Sequence, residues 1–145
     1  MVSELWASKN LDSSEKLYLG GADAVRAFPC GESGGSEGQI VNAELHWRTD
    51  RGPELSAFYD WGQVVVNRDN DFAGAPQLNA LRNAGFGLGM SWQPQPGWLV
   101  KVSWARRSAA NPNPTAAGTD QDGTLLLDRY WLSVTRNFVT ERSGH

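Results

Sequence analysis

Two residues of opposite charge sit where they could do chemistry. Arg26 stands in Val25-Arg26-Ala27-Phe28, inside a Gly-rich stretch that runs from Leu19-Gly20-Gly21 to Glu37-Gly38. Asp60 stands in Phe58-Tyr59-Asp60-Trp61-Gly62, inside a stretch of strand character. A guanidinium and a carboxylate of this kind break no bond. They can hold one part of a chain to another. A guanidinium that loses its hydration needs an acceptor. A carboxylate can take it through two parallel hydrogen bonds, which Lys cannot make. The two motifs thus offer a cation on a loop and an anion on a wall.

Other candidate motifs carry less. Gly31-Glu32-Ser33-Gly34-Gly35 matches the nucleophile-elbow pattern in form. That motif needs a strand, a turn and a helix, with a later acid and His. No helix is expected here, and the segment reads as a flexible Gly/Ser loop. Asp69-Asn70-Asp71 and Asp120-Gln121-Asp122-Gly123 lack the closing Glu of a calcium loop, so they read as turn chemistry in hydrophilic loops. Gly85, Gly87 and Gly89 have the wrong spacing for a dinucleotide fingerprint. His46 reads as a polar wall residue rather than a metal ligand, and Cys30 as a small loop residue. No enzyme activity, cofactor or metal is expected.

The elements that would position Arg26 and Asp60 are strands. Period-two segments separated by turn signals occupy residues 39–49, 54–67, 83–93, 97–107 and 125–138, and residues 5–9 read as the tail of an earlier strand. Val41, Ala43, Leu45 and Trp47 alternate with Asn42, Glu44 and His46. Leu55, Ala57, Tyr59 and Trp61 alternate with Ser56, Phe58, Asp60 and Gly62. Trp98, Val100, Val102 and Trp104 alternate with Lys101 and Ser103. Connections alternate in length: 11–38, 68–82 and 108–124 are long, whereas 50–53 and 94–96 are short. Outer-membrane barrels have long external loops and short periplasmic turns. Trp47, Trp92 and Trp98 flank the short turns, as an interfacial aromatic girdle would.

Composition is compatible with that class. The chain has 145 residues, a net charge of -3 and seven Trp. Its mean hydropathy is -0.46. Alternating strands keep mean hydropathy low even when they cross a membrane. No basic stripe is present, so nucleic acid is not an expected partner. The lone cysteine excludes an internal disulfide and a multi-thiol metal site. Residues 1–6 lack the basic and apolar blocks of a signal peptide, which an outer-membrane protein needs, so on an outer-membrane reading the chain is expected to be the C-terminal piece of a longer protein.

In order and content, the loop block and the Phe-x-Asp-x-Gly block resemble the outer-membrane transporters of two-partner secretion (TpsB), the haemolysin secretion/activation proteins. The resemblance runs from Leu5 to Phe138. Ala27 stands where the wider superfamily commonly has Gly. It implies an all-β fold: an antiparallel transmembrane barrel of sixteen strands, preceded by periplasmic POTRA domains. Residues 1–145 would be the C-terminal part of the barrel, 11–38 the long lumenal loop, and 139–145 a tail.

The resemblance further implies that Arg26 is carried on the lumenal loop toward Asp60. Val25, Arg26, Ala27, Phe28, Phe58, Asp60 and Gly62 would form a latch. Asn42, Glu44, His46, Lys101 and Ser103 would line the lumen, and Phe138 would belong to the assembly signal. Glycines 62, 85, 87 and 89 are expected to make room for the loop. The implied activity is export of a large exoprotein, a haemolysin or adhesin (a TpsA-like partner), across the outer membrane of a Gram-negative bacterium. The lipid bilayer and the barrel-assembly machinery would be further partners. The alternatives are a barrel-assembly or surface-antigen relative, and a soluble β-barrel binding module.

Overall fold

The computed structural model describes residues 2–5, 15–50, 52–67, 69–74 and 77–138. Six strands form one antiparallel sheet in the order β1 (Val2–Leu5), β4 (Glu37–Trp47), β5 (Glu54–Val65), β6 (Ala80–Trp92), β7 (Trp98–Arg107) and β8 (Asp128–Arg136). A two-stranded piece, β2 (Leu17–Tyr18) with β3 (Gly34–Gly35), lies between β1 and β4 in the chain. β1 and β8 are the two edges of the large sheet.

Period-two alternation decides what each face carries. Registers Leu45 to Ala57, Tyr59 to Phe86, Leu88 to Trp104, and Val102 to Leu132 align the apolar sets of neighbouring strands. One face therefore presents Leu45, Tyr59, Phe86, Leu88, Val102, Leu132 and Val134, all exposed. Soluble monomers rarely expose large contiguous apolar patches.

The opposite face is covered by residues 15–36. Leu19, Val25, Ala27 and Phe28 of this segment are fully buried. They pack on Ile40 of β4, Phe58 and Val64 of β5, Leu81 of β6 and Ala105 of β7. The core thus lies between a loop and a sheet. Within the loop, the Val25 amide bonds the Leu19 carbonyl (2.8 Å), and the Phe28 amide bonds the Val25 carbonyl (3.1 Å). These bonds fold the Val-Arg-Ala-Phe segment into a tight turn.

The short connections follow from their residues. The Trp98 amide bonds the Gln95 carbonyl (3.1 Å), with Pro96 and Gly97 between them and Gly97 at φ +84°. Proline followed by a glycine of positive φ is the signature of a type II turn. The strand ends differ from the expected ones: β4 starts and stops two residues earlier, and β6 begins at Ala80. The last strand begins at Asp128 rather than 125; the Leu127 carbonyl still bonds the Arg107 amide (3.0 Å), next in register to the Arg106–Asp128 pair, and the 108–127 loop ends there. Of the expected early strand tail, Leu5 ends β1, and residues 6–9 lie outside the described residues, as do 139–145.

Candidate functional site

Asp60 projects from the centre of β5 and is fully buried. The Arg26 guanidinium meets it side-on, with Nε to Oδ2 and Nη2 to Oδ1 both at 2.8 Å. The Arg26 backbone amide also donates to Oδ2 (3.1 Å). Asn42 on β4 lies opposite Asp60 in the register. Its Nδ2 donates to Asp60 Oδ1 and to the Ala24 carbonyl, both at 2.8 Å, so it ties the wall to the loop. Asp60 therefore accepts from a charged fork, a backbone amide and a side-chain amide. Charge-assisted, bidentate bonds of this type are the strong ones.

Three further contacts fix the arginine. Its guanidinium lies 3.3 Å from the centre of the Phe58 ring. A cation over an aromatic face gains electrostatic attraction once water is excluded. Glu44 on β4 accepts from Nη2 at 2.6 Å. From β8, on the same face of the sheet, Trp131 Nε1 donates to the Arg26 carbonyl (2.8 Å).

Glycines shape the seat. A Cβ on Gly62 would come within 2.7 Å of Leu19, and one on Gly85 within 2.4 Å of the Ala27 Cβ. Both positions let the loop approach the sheet. Gly87 instead leaves room for the Phe58 ring, at 2.6 Å, which lies under Arg26. Gly89 faces the Ser56 hydroxyl and does not meet the loop.

From Glu44 a line of polar contacts continues along the sheet. Glu44 Oε2 meets His46 Nε2 at 2.9 Å, and His46 Nδ1 meets Glu54 Oε1 at 2.8 Å. Arg48 closes the line on the other oxygen of Glu54. A cavity of about 750 Å³ opens beside this line. Arg26, Asn42, Glu44 and His46 line it together with Lys101, Ser103 and Trp131.

A second buried ion cluster lies at the other end of β7. Arg107 pairs with Asp120, which is fully buried. Asp120 also accepts from Arg129 Nη2 (3.1 Å) and Asn111 Nδ2 (2.9 Å). Burial opposes the charge on Asp120, but Arg107, Asn111 and Arg129 outweigh it and hold the carboxyl below the ordinary range.

A profile of the family described as haemolysin secretion/activation protein ShlB/FhaC/HecB matches residues 2–92. That span carries both the Val-Arg-Ala-Phe loop and the Asp60 strand. The chain belongs to the haemolysin secretion/activation family. Among individual proteins it is similar to the heme/hemopexin transporter protein HuxB of Haemophilus influenzae strain Rd, at 26% identity over 94% of this chain. HuxB of strain 86-028NP is equally similar. The chain spans 23% of the length of these curated relatives. No solved structure matches it.

In this family member the expected latch residues Val25 to Phe28, Phe58, Asp60 and Gly62 converge on one place. Asn42, Glu44, His46, Lys101 and Ser103 share one face and one cavity. Phe138 stands apart, exposed beyond β8 with the Arg136 guanidinium 4.7 Å from its ring centre.

Three sequence readings need correction. Residues 31–35 are not a flexible loop: Glu32 and Ser33 are buried, and Gly34 and Gly35 form β3. Asp120 does open a turn, its carbonyl accepting from the Gly123 amide (2.9 Å), but its side chain is a buried ion-pair partner and not a solvated loop carboxylate. Asp122 does act in a turn, accepting from the Thr124 amide (3.0 Å). Finally, Gly87 and Gly89 do not meet the loop; only Gly62 and Gly85 do. Trp131 and Arg107 were not singled out from sequence. The signal for Trp131 was its place opposite the apolar set of β8.

Proposed function

We propose that the chain is the C-terminal part of an outer-membrane β-barrel that exports a large partner protein by two-partner secretion. In this reading the sheet is a segment of barrel wall. Its apolar face meets lipid, and residues 15–36 lie in the lumen. The carrying observation is the bidentate Arg26–Asp60 pair, made by a loop seated on the face opposite the apolar one. A lipid-facing exterior and a polar interior are the two sides of every strand in such a barrel.

Arg26 and Asp60 hold the lumenal loop as a plug. Asn42, Glu44, His46, Lys101 and Ser103 line the route past it. The charges along that wall give an extended polar chain many weak contacts. Export needs no bond-making step here, and the sequence suggests no nucleotide site. The exoprotein's folding outside would supply the driving force. A missing set of strands, supplied by the rest of the protein, would cover the edges at β1 and β8, since an open edge is not tolerated in lipid. Family membership favours this reading over the barrel-assembly relative. The exposed apolar face favours it over a soluble binding module.

The test uses the full-length transporter in its native envelope. Arg26→Asp and Asp60→Arg are each expected to lose export of the partner exoprotein, and the double swap to regain part of it. Outer-membrane recovery and a heat-shifted gel mobility would establish a closed barrel. A swap that restores nothing, in variants that still assemble, would remove the pair from the mechanism.

A further inference from the structure

The Val-Arg-Ala-Phe segment is gripped from two sides by two arginines. One is its own Arg26, which reaches down to Asp60. The other is Arg107, which reaches in from the end of β7. Arg107 Nε donates to the Ala27 carbonyl (3.2 Å), and its guanidinium lies 4.4 Å from the centre of the Phe28 ring. The same guanidinium pairs with Asp120 in the 108–127 loop. One side chain thus binds both loops.

A second contact joins the two loops without Arg107. The Gln121 amide donates to Glu32 Oε2 (2.9 Å). Glu32 is fully buried. Its other oxygen, Oε1, has no hydrogen-bond partner among the described residues. Removing the Gln121 amide would leave a buried carboxylate poorly satisfied, which is costly. The 108–127 loop is folded to keep that amide in place. Asp120 is anchored from three directions, and Arg129 on β8 also holds Asp122 (2.9 Å) and Thr124 Oγ1 (2.9 Å).

We propose that the 108–127 loop is an outer retainer of the lumenal loop, with Arg107, Asp120 and Glu32 as positioning residues that must part before the lumenal loop can leave its seat. This rests on the transport reading. The Arg26–Asp60 pair and the retainer are separate fasteners on one short stretch of the lumenal loop, from Arg26 to Glu32. Breaking the first leaves Ala27, Phe28 and Glu32 still held from outside.

The experiment uses the full-length transporter with Cys30 kept and Gln121→Cys added. Cys30 is exposed and lies two residues from Glu32. The substitution spares the Gln121 amide. A short bismaleimide with a reducible link is applied to assembled, heat-shifted barrels. The expected result is cross-linking of the two loops, loss of most exoprotein export, and its return on reduction. Protein with Cys30 alone should be unaffected. Export that continues through cross-linked barrels would overturn the retainer. So would a failure of heat-shifted barrels to cross-link. If uncross-linked protein exports nothing while the cross-link still forms, the transport reading fails and takes the gating role with it. The contact itself would stand.

A second variant pair reads the same contact without chemistry. Asp120→Asn and Glu32→Gln keep shape and remove charge. In assembled barrels each should raise proteolytic cleavage within residues 15–36 severalfold over the unsubstituted protein. Unchanged protection in both would also overturn the proposal.

Discussion

Arg26 and Asp60 meet edge to edge, with two parallel bonds of 2.8 Å and a third from the arginine's own backbone amide. The pair spans 34 residues of sequence. It joins the turn of a loop to the middle of a strand. Its acid partner is shared with Asn42, so three elements meet at one carboxylate.

Truncating the acid exposes how much the loop depends on it. Asp60→Ala leaves a partly buried guanidinium with Glu44 as its remaining acceptor. Loss of one member of a buried pair costs about 3–5 kcal/mol. The expected cost is at the lower end, since Glu44 remains. Limited proteolysis of residues 15–36 in assembled barrels measures it. Arg26→Lys should lie between Asp60→Ala and the unsubstituted protein, because an ammonium makes no fork.

Glycine replacements should rank by what each Cβ meets. Gly85→Ala drives a methyl group to 2.4 Å from the Ala27 Cβ and 2.9 Å from the Arg106 carbonyl oxygen. Gly62→Ala meets the tip of Leu19, which can turn aside. Gly89→Ala meets the Ser56 hydroxyl alone at close range. Overpacking costs about 1–3 kcal/mol. The expected order of loop displacement, read by the same proteolysis, is Gly85, then Gly62, with Gly89 least.

The two faces of β7 should respond differently to the same charge. Val102→Arg on the apolar face is expected to cost about 2–4 kcal/mol at the bilayer midplane. Ser103→Arg, one residue on and facing the cavity, should cost far less. Denaturant titration of the full-length barrel in lipid separates them. Equal, mild effects would count against lipid on that face.

Acid should loosen the outer retainer. The Asp120 carboxyl is held below its ordinary value, mainly by Arg107 against the opposing effect of burial. Asp122 is lowered in the same way, against burial, by Thr124 and Arg129. A depressed folded pKa contributes stability above the unfolded value of about 3.9 and loses it as pH falls through the folded one. Protection of residues 15–36 against pepsin should therefore fall more steeply with acid in the unsubstituted protein than in Asp120→Asn. Parallel curves would show that Asp120 contributes nothing.

The strands were legible because alternation at period two needs no tertiary information. Leu45 and Trp47 declare their face as soon as Glu44 and His46 are read beside them. Arg26 and Asp60 were legible only through motif resemblance, since nothing local says that residue 26 reaches residue 60. The two buried acids of the loops were not legible at all. Glu32 and Asp120 look like loop carboxylates, and their burial depends on Gln121 and Arg107, brought near by the sheet. β3 was missed because Gly34-Gly35 has no strand propensity, and its pairing with Leu17–Tyr18 comes from the close approach that glycine permits. At Gly34 a Cβ would sit 2.6 Å from the Tyr18 ring.

Trp131 closes the back of the Arg26 turn from 105 residues further along the chain. It lies on β8, which follows every other strand of the sheet. A sheet assembled only as far as β7 can already join Arg26 to Asp60, but it lacks Trp131 for the Arg26 carbonyl and Arg129 for Asp120. The seat is therefore complete only once β8 has paired with β7. Fastening the plug and extending the wall are one event rather than two.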